Sequence, residues 1–251
     1  MSAAALEARG LLKQFGALMA TDNVSFALAR GARHALIGPN GAGKTTLINL
    51  LTGVVPPTEG QVLLEGKDVT ALPASARVRL GLSRTFQINQ LFPHLTPAES
   101  LGLAVSERMN SGADFWRVAG TRAGIVAEIE DLLVRFGLDA DLETPTRMLP
   151  YGKQRLLEIA LALATGPRVL LLDEPAAGVP EEERRDILAA LAALPADVAI
   201  LLIEHDMDLV FSFATRISVL VAGRLLIEGE PEAIAKDERV RAVYLGEEAH
   251  G

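Results

Sequence analysis

Three absences bound what this chain of 251 residues can be. It has no cysteine, which excludes disulfide bonds and thiolate metal sites. No apolar run reaches the roughly 18 residues that a membrane-spanning helix requires, and the start of the sequence lacks the pattern of a secretory signal. Basic residues are in deficit, 24 against 32 acidic ones, and the net charge of −8 argues against a nucleic-acid partner. We therefore expect a soluble, cytoplasmic protein that does not bind nucleic acid.

Apolar residues make up 49% of the sequence, enough for a sizeable core. Short β-rich runs are separated by helical patterns at 44–52, 153–165 and 181–194. Apart from Arg168, the runs at 168–172 and 198–203 are continuously apolar, as expected for strands buried on both faces of a parallel sheet. This alternation predicts an α/β fold with crossover helices. The predicted strands are 24–28, 33–38, 61–66, 168–174, 198–205, 216–221 and 224–229.

Residues 88–150 differ from the rest of the chain, because they contain helical patterns at 97–108 and 122–136 and no convincing strand. We interpret them as a helical subdomain inserted into one core, which residues 1–87 and 151–251 form together. The chain is thus predicted to be a single domain with one insertion.

The segment GPNGAGKTT (38–46) fits the pattern G-x-x-x-x-G-K-[ST] of a phosphate-binding loop. It follows the apolar run RHALI and opens a helical pattern, which is the context that this motif requires. Glycines let backbone N–H groups approach phosphate closely, and the helix N-terminus adds partial positive charge. Lys44 is predicted to reach the β- and γ-phosphates, and the Thr45 hydroxyl to bind Mg²⁺. The predicted nucleotide-binding residues of this loop are Gly38, Pro39, Asn40, Gly41, Ala42, Gly43, Lys44, Thr45 and Thr46.

A second motif, RVLLLDEP (168–175), places two carboxylates at the end of an apolar run. Asp173 is predicted to hold Mg²⁺ through water, and Glu174 to polarise the attacking water as a general base. An acidic pair after a strand is, by itself, more often a helix N-cap. Its combination with the phosphate loop favours the catalytic interpretation.

Five segments follow the order and spacing typical of ATP-binding-cassette ATPases: the phosphate loop, RTFQ (84–87), LPYGK (149–153), LLLDEP (170–175) and IEHD (203–206). The chain resembles this family over nearly its whole length. The resemblance implies a P-loop NTPase fold, in which a RecA-like core with a β subdomain carries a helical subdomain. It also implies ATP and Mg²⁺ as cofactors.

The resemblance assigns roles to three further residues. Gln87 matches the glutamine that joins the core to the helical subdomain and contacts Mg²⁺ or the attacking water. His205 matches the switch histidine that contacts the γ-phosphate. Phe15 matches the aromatic residue that stacks on adenine, and a core Phe in an N-terminal strand is the alternative.

In this family the segment equivalent to LPYGK covers ATP held by the opposite subunit of a head-to-tail dimer. The resemblance therefore implies that Tyr151, Gly152 and Lys153 contact nucleotide, with the first amides of a helix aimed at the γ-phosphate. The usual pattern has Ser in place of Pro150, Gly in place of Tyr151 and Gln in place of Lys153. Proline is compatible with a helix start, so we expect this segment to work without the hydroxyl.

The departures help to place the subfamily. RTFQ, the signature without its Ser, DEPAAG (173–178) and IEHDMDLV (203–210) together resemble ATP-binding subunits of importers for branched-chain amino acids and related solutes. The tail RVRAVYLGE (239–247) resembles both these subunits and the ATPase of lipopolysaccharide export, which typically has an intact LSGG. Pro180 replaces an Asp or Asn that usually contacts the dimer partner, which affects coordination across the dimer rather than ATP binding.

The resemblance also implies partners: a second ATPase subunit, two membrane permease subunits and, indirectly, a periplasmic solute-binding protein. Together they would hold the chain at the cytoplasmic face of the inner membrane. The permease is expected to dock at NQLFPHLTPAESL (89–101), although Leu91, Phe92 and Leu95 suit a subdomain core equally well. The solute stays open among branched-chain amino acids, urea and small aromatic acids.

Two other classes of function compete with transport. A cassette ATPase of the DNA-repair or translation-factor kind usually carries a second cassette, a coiled coil, zinc cysteines or basic arms, and this sequence has none of them. A nucleotide-bound module that does not hydrolyse ATP would have no use for Glu174. We rank the transport ATPase first.

Overall fold

The computed structural model describes residues 4–85, 91–109 and 122–248. These residues divide into two compact units. The first unit comprises the described residues of Met1–Leu82, Arg168–Leu171 and Pro195–Gly251, and the second those of Ser83–Pro167 and Leu172–Leu194. The predicted subdomain limits at 87/88 and 150/151 stay a prediction.

The strands and helices follow one another in the alternation that the sequence predicts. The strands are β1 (Ala4–Phe15), β2 (Leu18–Ala29), β3 (Arg33–Ile37), β4 (Glu59–Leu64), β5 (Lys67–Asp68), β6 (Leu82–Arg84), β7 (Val169–Asp173), β8 (Ala199–Ile203), β9 (Arg216–Val221) and β10 (Arg224–Gly229). The helices are α1 (Lys44–Thr52), α2 (Ala74–Arg79), α3 (Pro97–Arg108), α4 (Arg122–Arg135), α5 (Tyr151–Ala164), α6 (Glu181–Ala192), α7 (Met207–Phe213), α8 (Pro231–Lys236) and α9 (Glu238–Glu248).

A six-stranded sheet in the order β10-β9-β3-β8-β7-β6 contains the strands that lead to the predicted site. Strand β3 pairs in parallel with both β8 and β9, so the carboxyl ends of these three strands lie at one edge. Every residue of β7 and β8 is buried, and all of them except Asp173 are apolar, as strands covered on both faces require. The α/β fold class predicted from the sequence is confirmed.

A second sheet, in the order β2-β1-β4-β5, is antiparallel and belongs to the first unit. Val24, Phe26 and Leu28 of β2 are buried and alternate with exposed residues, which is typical of a sheet with one face on the core. Together with helix α1 this face forms the main hydrophobic core of the unit. Strand β1 was not among the predicted strands.

A buried arginine fixes the end of helix α1 that lies away from the phosphate loop. Arg77, 1% exposed, donates to the carbonyl oxygens of Leu50 and Leu51 at 2.8 and 2.6 Å. Both carbonyls belong to the last helical turn, where intrahelical donors run out and a cation is favoured. Burial lowers the pKa of Arg77, and the charge of Asp68 opposes that shift.

The described part of the second unit is helical apart from its two strand ends. Helix α3 begins with a capping box, in which Thr96 accepts from the Glu99 amide and Glu99 accepts from the Thr96 amide. Helix α5 begins at Tyr151, two residues before the predicted start, because Pro150 takes the N-cap position. Among the described residues, no helix is long and apolar enough to cross a membrane.

Candidate functional site

The phosphate loop lies between strand β3 and helix α1 in the first unit, as the motif requires. Gly41 and Gly43 have φ angles of +75° and +100°, which place both residues in backbone conformations that side chains disfavour. A Cβ on Gly43 would lie 2.3 Å from the carbonyl oxygen of Ala20, and one on Gly38 would lie 2.1 Å from that of Leu220. The loop conformation therefore depends on glycine at these positions.

The side chain of Lys44 folds back over the loop. Its Nζ donates to the carbonyl oxygens of Gly38 and Pro39 at 2.6 and 3.0 Å. Gly43, at the N-cap of α1, has no side chain with which to cap the helix, so backbone amides at this end are suited to an anion. The Thr45 hydroxyl belongs to an exposed residue of the first turn. This arrangement suits a phosphate chain.

His205 lies at the same edge of the sheet as the phosphate loop. Leu36 of β3 pairs with Ile203 of β8, so Gly38 and His205 each lie two residues beyond a paired position on adjacent parallel strands. The His205 side chain is 66% exposed, with Nδ1 3.8 Å from the buried carboxylate of Glu204. An exposed histidine at the carboxyl edge is suited to contact a bound phosphate. Its role as the switch residue stays a prediction.

Glu204 and Asp206, the sequence neighbours of His205, both form hydrogen bonds with nearby backbone amides. The Glu204 carboxylate accepts from the amides of His205 and Asp206 at 3.1 and 3.4 Å. Asp206 is the N-cap of α7 and accepts from the amides of Asp208 and Leu209. These bonds order the backbone that carries His205.

A buried polar network supports strand β3 just before the phosphate loop. His34, 2% exposed, hydrogen-bonds through Nε2 to the Ser218 hydroxyl at 2.8 Å, and Ser218 donates to the Glu228 carboxylate at 3.0 Å. Burial lowers the pKa of His34; the charge of Glu228 opposes this shift and that of Arg216 adds to it. The network joins the three neighbouring strands β3, β9 and β10.

Phe15 ends strand β1 and is not a core residue. Its side chain is 48% exposed, and Lys13 Nζ lies 5.0 Å from the ring centroid. Phe15 pairs with Leu18 at the tip of the β1–β2 hairpin, and Ala20 of that hairpin approaches Gly43 of the phosphate loop. The core alternative is therefore wrong, and adenine stacking stays a prediction.

In the second unit, Asp173 ends strand β7 as a buried carboxylate, 3% exposed. Its Oδ2 accepts from Arg84 Nη2 at 2.6 Å, and its amide donates to the Thr85 hydroxyl at 3.2 Å. Arg84 and Thr85 belong to the RTFQ segment, whose arginine sequence reasoning left without a role. In the structure Arg84 thus forms an ion pair with Asp173, an interaction that the motif alone did not predict. Gln87 lies outside the described residues.

Glu174 has a backbone conformation that glutamate rarely adopts. Its φ angle is +48°, and its carbonyl oxygen accepts from the amide of Ala177 at 3.0 Å. A non-glycine residue in this region costs roughly 1–3 kcal/mol, and such strain clusters at functional sites. The side chain of Glu174 is half-buried. This conformation supports a functional rather than a structural role for Glu174.

The start of helix α5 is held by a side chain from α6. Gly152 is buried, and its amide donates to Glu183 Oε2 at 2.8 Å. Lys153 forms an ion pair with Asp141, and the guanidinium of Arg155 lies 5.1 Å from the ring centroid of Tyr151. The charge of Lys153 is thus engaged within the unit. Contact of these residues with nucleotide stays a prediction.

Sequence reasoning missed Glu183 altogether. It is the third of three consecutive glutamates in the first turn of α6, where acidic residues are expected to favour the helix N-terminus. Nothing in EEE indicates that one of the three contacts a distant glycine. For Arg84 the signal was available, since it stands in a motif that the sequence analysis singled out.

Comparison with known proteins identifies the family. A model described as "ABC transporter" matches residues 21–177, and one described as "Branched-chain amino acid ATP-binding cassette transporter" matches residues 224–250. The chain is 39% identical over 254 residues to the high-affinity branched-chain amino acid transport ATP-binding protein BraF of Pseudomonas aeruginosa, covering 98% of this chain and 100% of that relative. It is 40% identical over 255 residues to LivG of Escherichia coli, which has the same description, with the same shares covered.

Solved structures agree with the sequence relatives. A nucleotide-free ATP-binding cassette from an ABC transporter superposes with a TM-score of 0.82 at 29% identity, covering 96% of this chain and 98% of the other. The ADP conformation of MJ1267, an ATP-binding cassette of an ABC transporter, gives 0.81 at 29% identity, covering 97% and 99%. The resemblance inferred from the motifs is confirmed: this chain is an ATP-binding cassette of the ABC transporter family.

Proposed function

We propose that this chain is the ATP-hydrolysing subunit of an importer for branched-chain amino acids or a related small polar solute, acting with separate permease subunits. The observation that carries the proposal is the match of residues 224–250 to the branched-chain amino acid cassette model. That match includes the tail RVRAVYLGE, so it favours import over lipopolysaccharide export, the other function that the tail alone would suit. The near-complete coverage of BraF and LivG supports the same conclusion.

The chemistry of the site follows from its residues. Backbone amides at the start of α1 and the charge of Lys44 bind the phosphates of ATP, and the exposed ring of Phe15 stacks on adenine. Glu174 orients and polarises the attacking water, and His205 contacts the γ-phosphate. Transfer of the terminal phosphoryl group to water yields ADP and phosphate.

Mg²⁺ fits the donors that this chain offers. The described residues contain no group of three or more His, Asp or Glu side chains that would form a complete metal cage. Mg²⁺ in nucleotide sites uses few protein oxygens and completes its shell with phosphate and water. The Thr45 hydroxyl and the Asp173 carboxylate are oxygens of this kind, and Gln87 is the third proposed contact. The ion would neutralise charge that develops on the phosphates.

The exposure of Phe92 supports docking to a permease subunit. Phe92 is 65% exposed, whereas Leu91 and Leu95 are half-buried, so Phe92 in particular is suited to a partner surface. The start of α5 is proposed to cover ATP held by a second cassette, identical or paralogous. Each nucleotide would then need groups from two chains.

Nucleotide-driven assembly tests the cassette mechanism. Glu174→Gln should retain ATP and form a dimer with MgATP, because both γ-phosphates stay in place. Sizing with light scattering should show monomer without nucleotide and dimer with it, and Lys44→Ala in the same background should stay monomeric. A Glu174→Gln chain that remains monomeric at saturating MgATP would contradict the ATP-bridged dimer.

Uptake assays test the transport role. Cells that lack the gene should lose uptake of radiolabelled leucine, and the wild-type chain, but not Lys44→Ala, should restore it. Urea and a small aromatic acid serve as competing solutes in the same assay. Unchanged uptake of all three in the deletion strain would contradict the importer assignment.

A further inference from the structure

The N-cap residue of helix α5 provides no side-chain cap, and a side chain of helix α6 accepts from a first-turn amide instead. Pro150 occupies the N-cap position, and no side-chain cap hydrogen bond is made there. Serine at an N-cap normally accepts from the amide of the second or third helical residue. Here the second residue is Gly152, and its amide donates to Glu183 Oε2, 31 positions further along the chain. The carboxylate does what a hydroxyl at position 150 would do.

The contact explains why residue 152 has no side chain. A Cβ on Gly152 would lie 2.1 Å from Glu183 Oε2 and 3.1 Å from the Cβ of Glu183. Any larger residue would displace the carboxylate or push α6 away from α5. The glycine is therefore required by packing inside the unit, independently of a nucleotide.

A second contact joins the same region to the loop that follows Glu174. A Cβ on Gly178 would lie 3.3 to 3.6 Å from two ring atoms and the hydroxyl oxygen of Tyr151, so this side chain packs directly on the loop. The guanidinium of Arg155 also lies over the Tyr151 ring. The start of α5 is thus attached both to the first turn of α6 and to residues 174–180.

Of the three acidic residues in that turn, Glu183 alone is positioned for this task. Glu181 and Glu182 are exposed, whereas Glu183 is half-buried and its carboxylate lies on Gly152. Glu182 therefore provides a matched control, since its removal takes away the same charge from the same turn and leaves the Gly152 contact intact.

We propose that Glu183 is a positioning residue for ATP hydrolysis, which holds the start of helix α5 in place of the missing N-cap hydroxyl and couples it to the loop behind Glu174. The proposal rests on the proposed function, in which the start of α5 acts on a nucleotide. Glu183 acts through the Gly152 backbone and does not touch ATP. Displacement of a positioned group by about 1 Å can cost roughly 100-fold in rate.

The experiment compares Glu183→Ala, Glu183→Gln and Glu182→Ala in the full chain. Glu183→Ala should lower kcat for ATP hydrolysis at least tenfold and change KM less than twofold, because the phosphate loop is untouched. Glu183→Gln keeps an acceptor oxygen and should stay within about threefold of the parent, since hydrogen bonding rather than charge is the proposed role. Glu182→Ala should behave as the parent.

A rescue tests the substitution of one cap for another. Pro150→Ser should restore most of the kcat lost in Glu183→Ala, whereas it should alter the parent little, so the double-mutant cycle is strongly non-additive. Hydrogen exchange of the Gly152 amide, measured without nucleotide, should quicken at least tenfold in Glu183→Ala and slow again with Pro150→Ser. This readout does not depend on hydrolysis.

Each outcome decides the matter. Three results would each overturn the proposal. They are equal hydrolysis rates in Glu183→Ala and Glu182→Ala, a Glu183→Gln variant as slow as Glu183→Ala, and no recovery of kcat when Pro150→Ser is added to Glu183→Ala. If Glu183→Ala does not fold, the Glu183→Ala/Pro150→Ser double variant should fold and hydrolyse ATP, and its failure to fold would overturn the proposal. A parent chain that neither hydrolyses ATP nor dimerises would refute the proposed function instead, while the exchange of Gly152 would still test the cap.

Discussion

The phosphate loop and the start of helix α5 are both helix N-termini without a side-chain cap of their own, yet they are built differently. In the loop, glycine conformations and close backbone approaches set the geometry, and Lys44 donates to carbonyls only five and six residues away. At α5, a carboxylate 31 residues away occupies the Gly152 amide. The backbone of the phosphate loop leaves the start of α1 suited to an anion. At the start of α5 the Gly152 amide already binds a carboxylate of the same chain.

The difference explains why one motif matches its family pattern and the other does not. A site made by backbone conformation tolerates little change, since each glycine is fixed by its φ angle or by a neighbouring carbonyl. A site held by a distant side chain can lose its local hydroxyl, provided that another residue supplies the bond. Asp173 is likewise held by side chains that are distant in the sequence, because Arg84 and Thr85 lie 89 and 88 residues before it.

The largest effect should come from the loop. Gly43→Ala combines a strained φ of +100° with a Cβ 2.3 Å from the Ala20 carbonyl oxygen, so strain and overpacking together should cost roughly 2–6 kcal/mol of stability and abolish measurable ATP binding. Gly41→Ala is the matched control, because its φ of +75° is strained but its Cβ would meet no atom within 4 Å. It should cost only about 1–2 kcal/mol. Thermal unfolding and ATP titration measure both, and equal losses would mean that close packing is not what fixes the loop.

The next largest effect should come from Arg84→Ala in the second unit. The Arg84 and Asp173 side chains are only 9% and 3% exposed, and removal of the arginine leaves the buried Asp173 charge unpaired, which costs about 3–5 kcal/mol. Arg84→Lys should recover part of this loss. Denaturant unfolding measures the change, with Arg147→Ala, an exposed arginine of the same unit, as control. A loss below about 1 kcal/mol would show that Asp173 does not depend on a distant partner.

A smaller effect concerns the strand that leads into the phosphate loop. The pKa of buried His34 lies below its ordinary value of about 6.5, so the folded protein binds fewer protons than the unfolded chain as the pH falls below that value. Stability should therefore fall with decreasing pH, by at most about 1.4 kcal/mol per pH unit from this group. His34→Asn should flatten the dependence between pH 7 and 5.5. An equally steep profile in the variant would assign the slope to other groups.

The smallest effect should come from Pro150→Ser in the parent chain. The Gly152 amide already has an acceptor in Glu183, so a new hydroxyl has little left to cap, and stability should change by less than about 1 kcal/mol. Turnover should change only modestly in either direction. A large gain in both stability and turnover would mean that Glu183 caps helix α5 poorly. The start of α5 would then resemble the start of α1 in having no effective side-chain cap.

The sequence predicted local features well. Helix α1 and the strands β9 and β10 have the predicted limits, because motif and periodicity there act over a few residues. Strand β1 escaped prediction since register shifts, among them one between Ala8 and Leu11, break the alternation that identifies a strand. In the site, the glycines of the loop and the position of Asp173 could be predicted, whereas Glu183 could not. No periodicity connects a glutamate of α6 to a glycine 31 residues before it.

The left-handed backbone of Glu174 has a consequence for how such a protein changes under mutation. Glycine would adopt φ +48° without strain, so Glu174→Gly should make the folded chain more stable by about 1 kcal/mol while removing the proposed general base. Selection for stability alone would therefore reduce activity through this position. A library selected only for thermal resistance should accumulate glycine at 174, and one selected for turnover should retain glutamate.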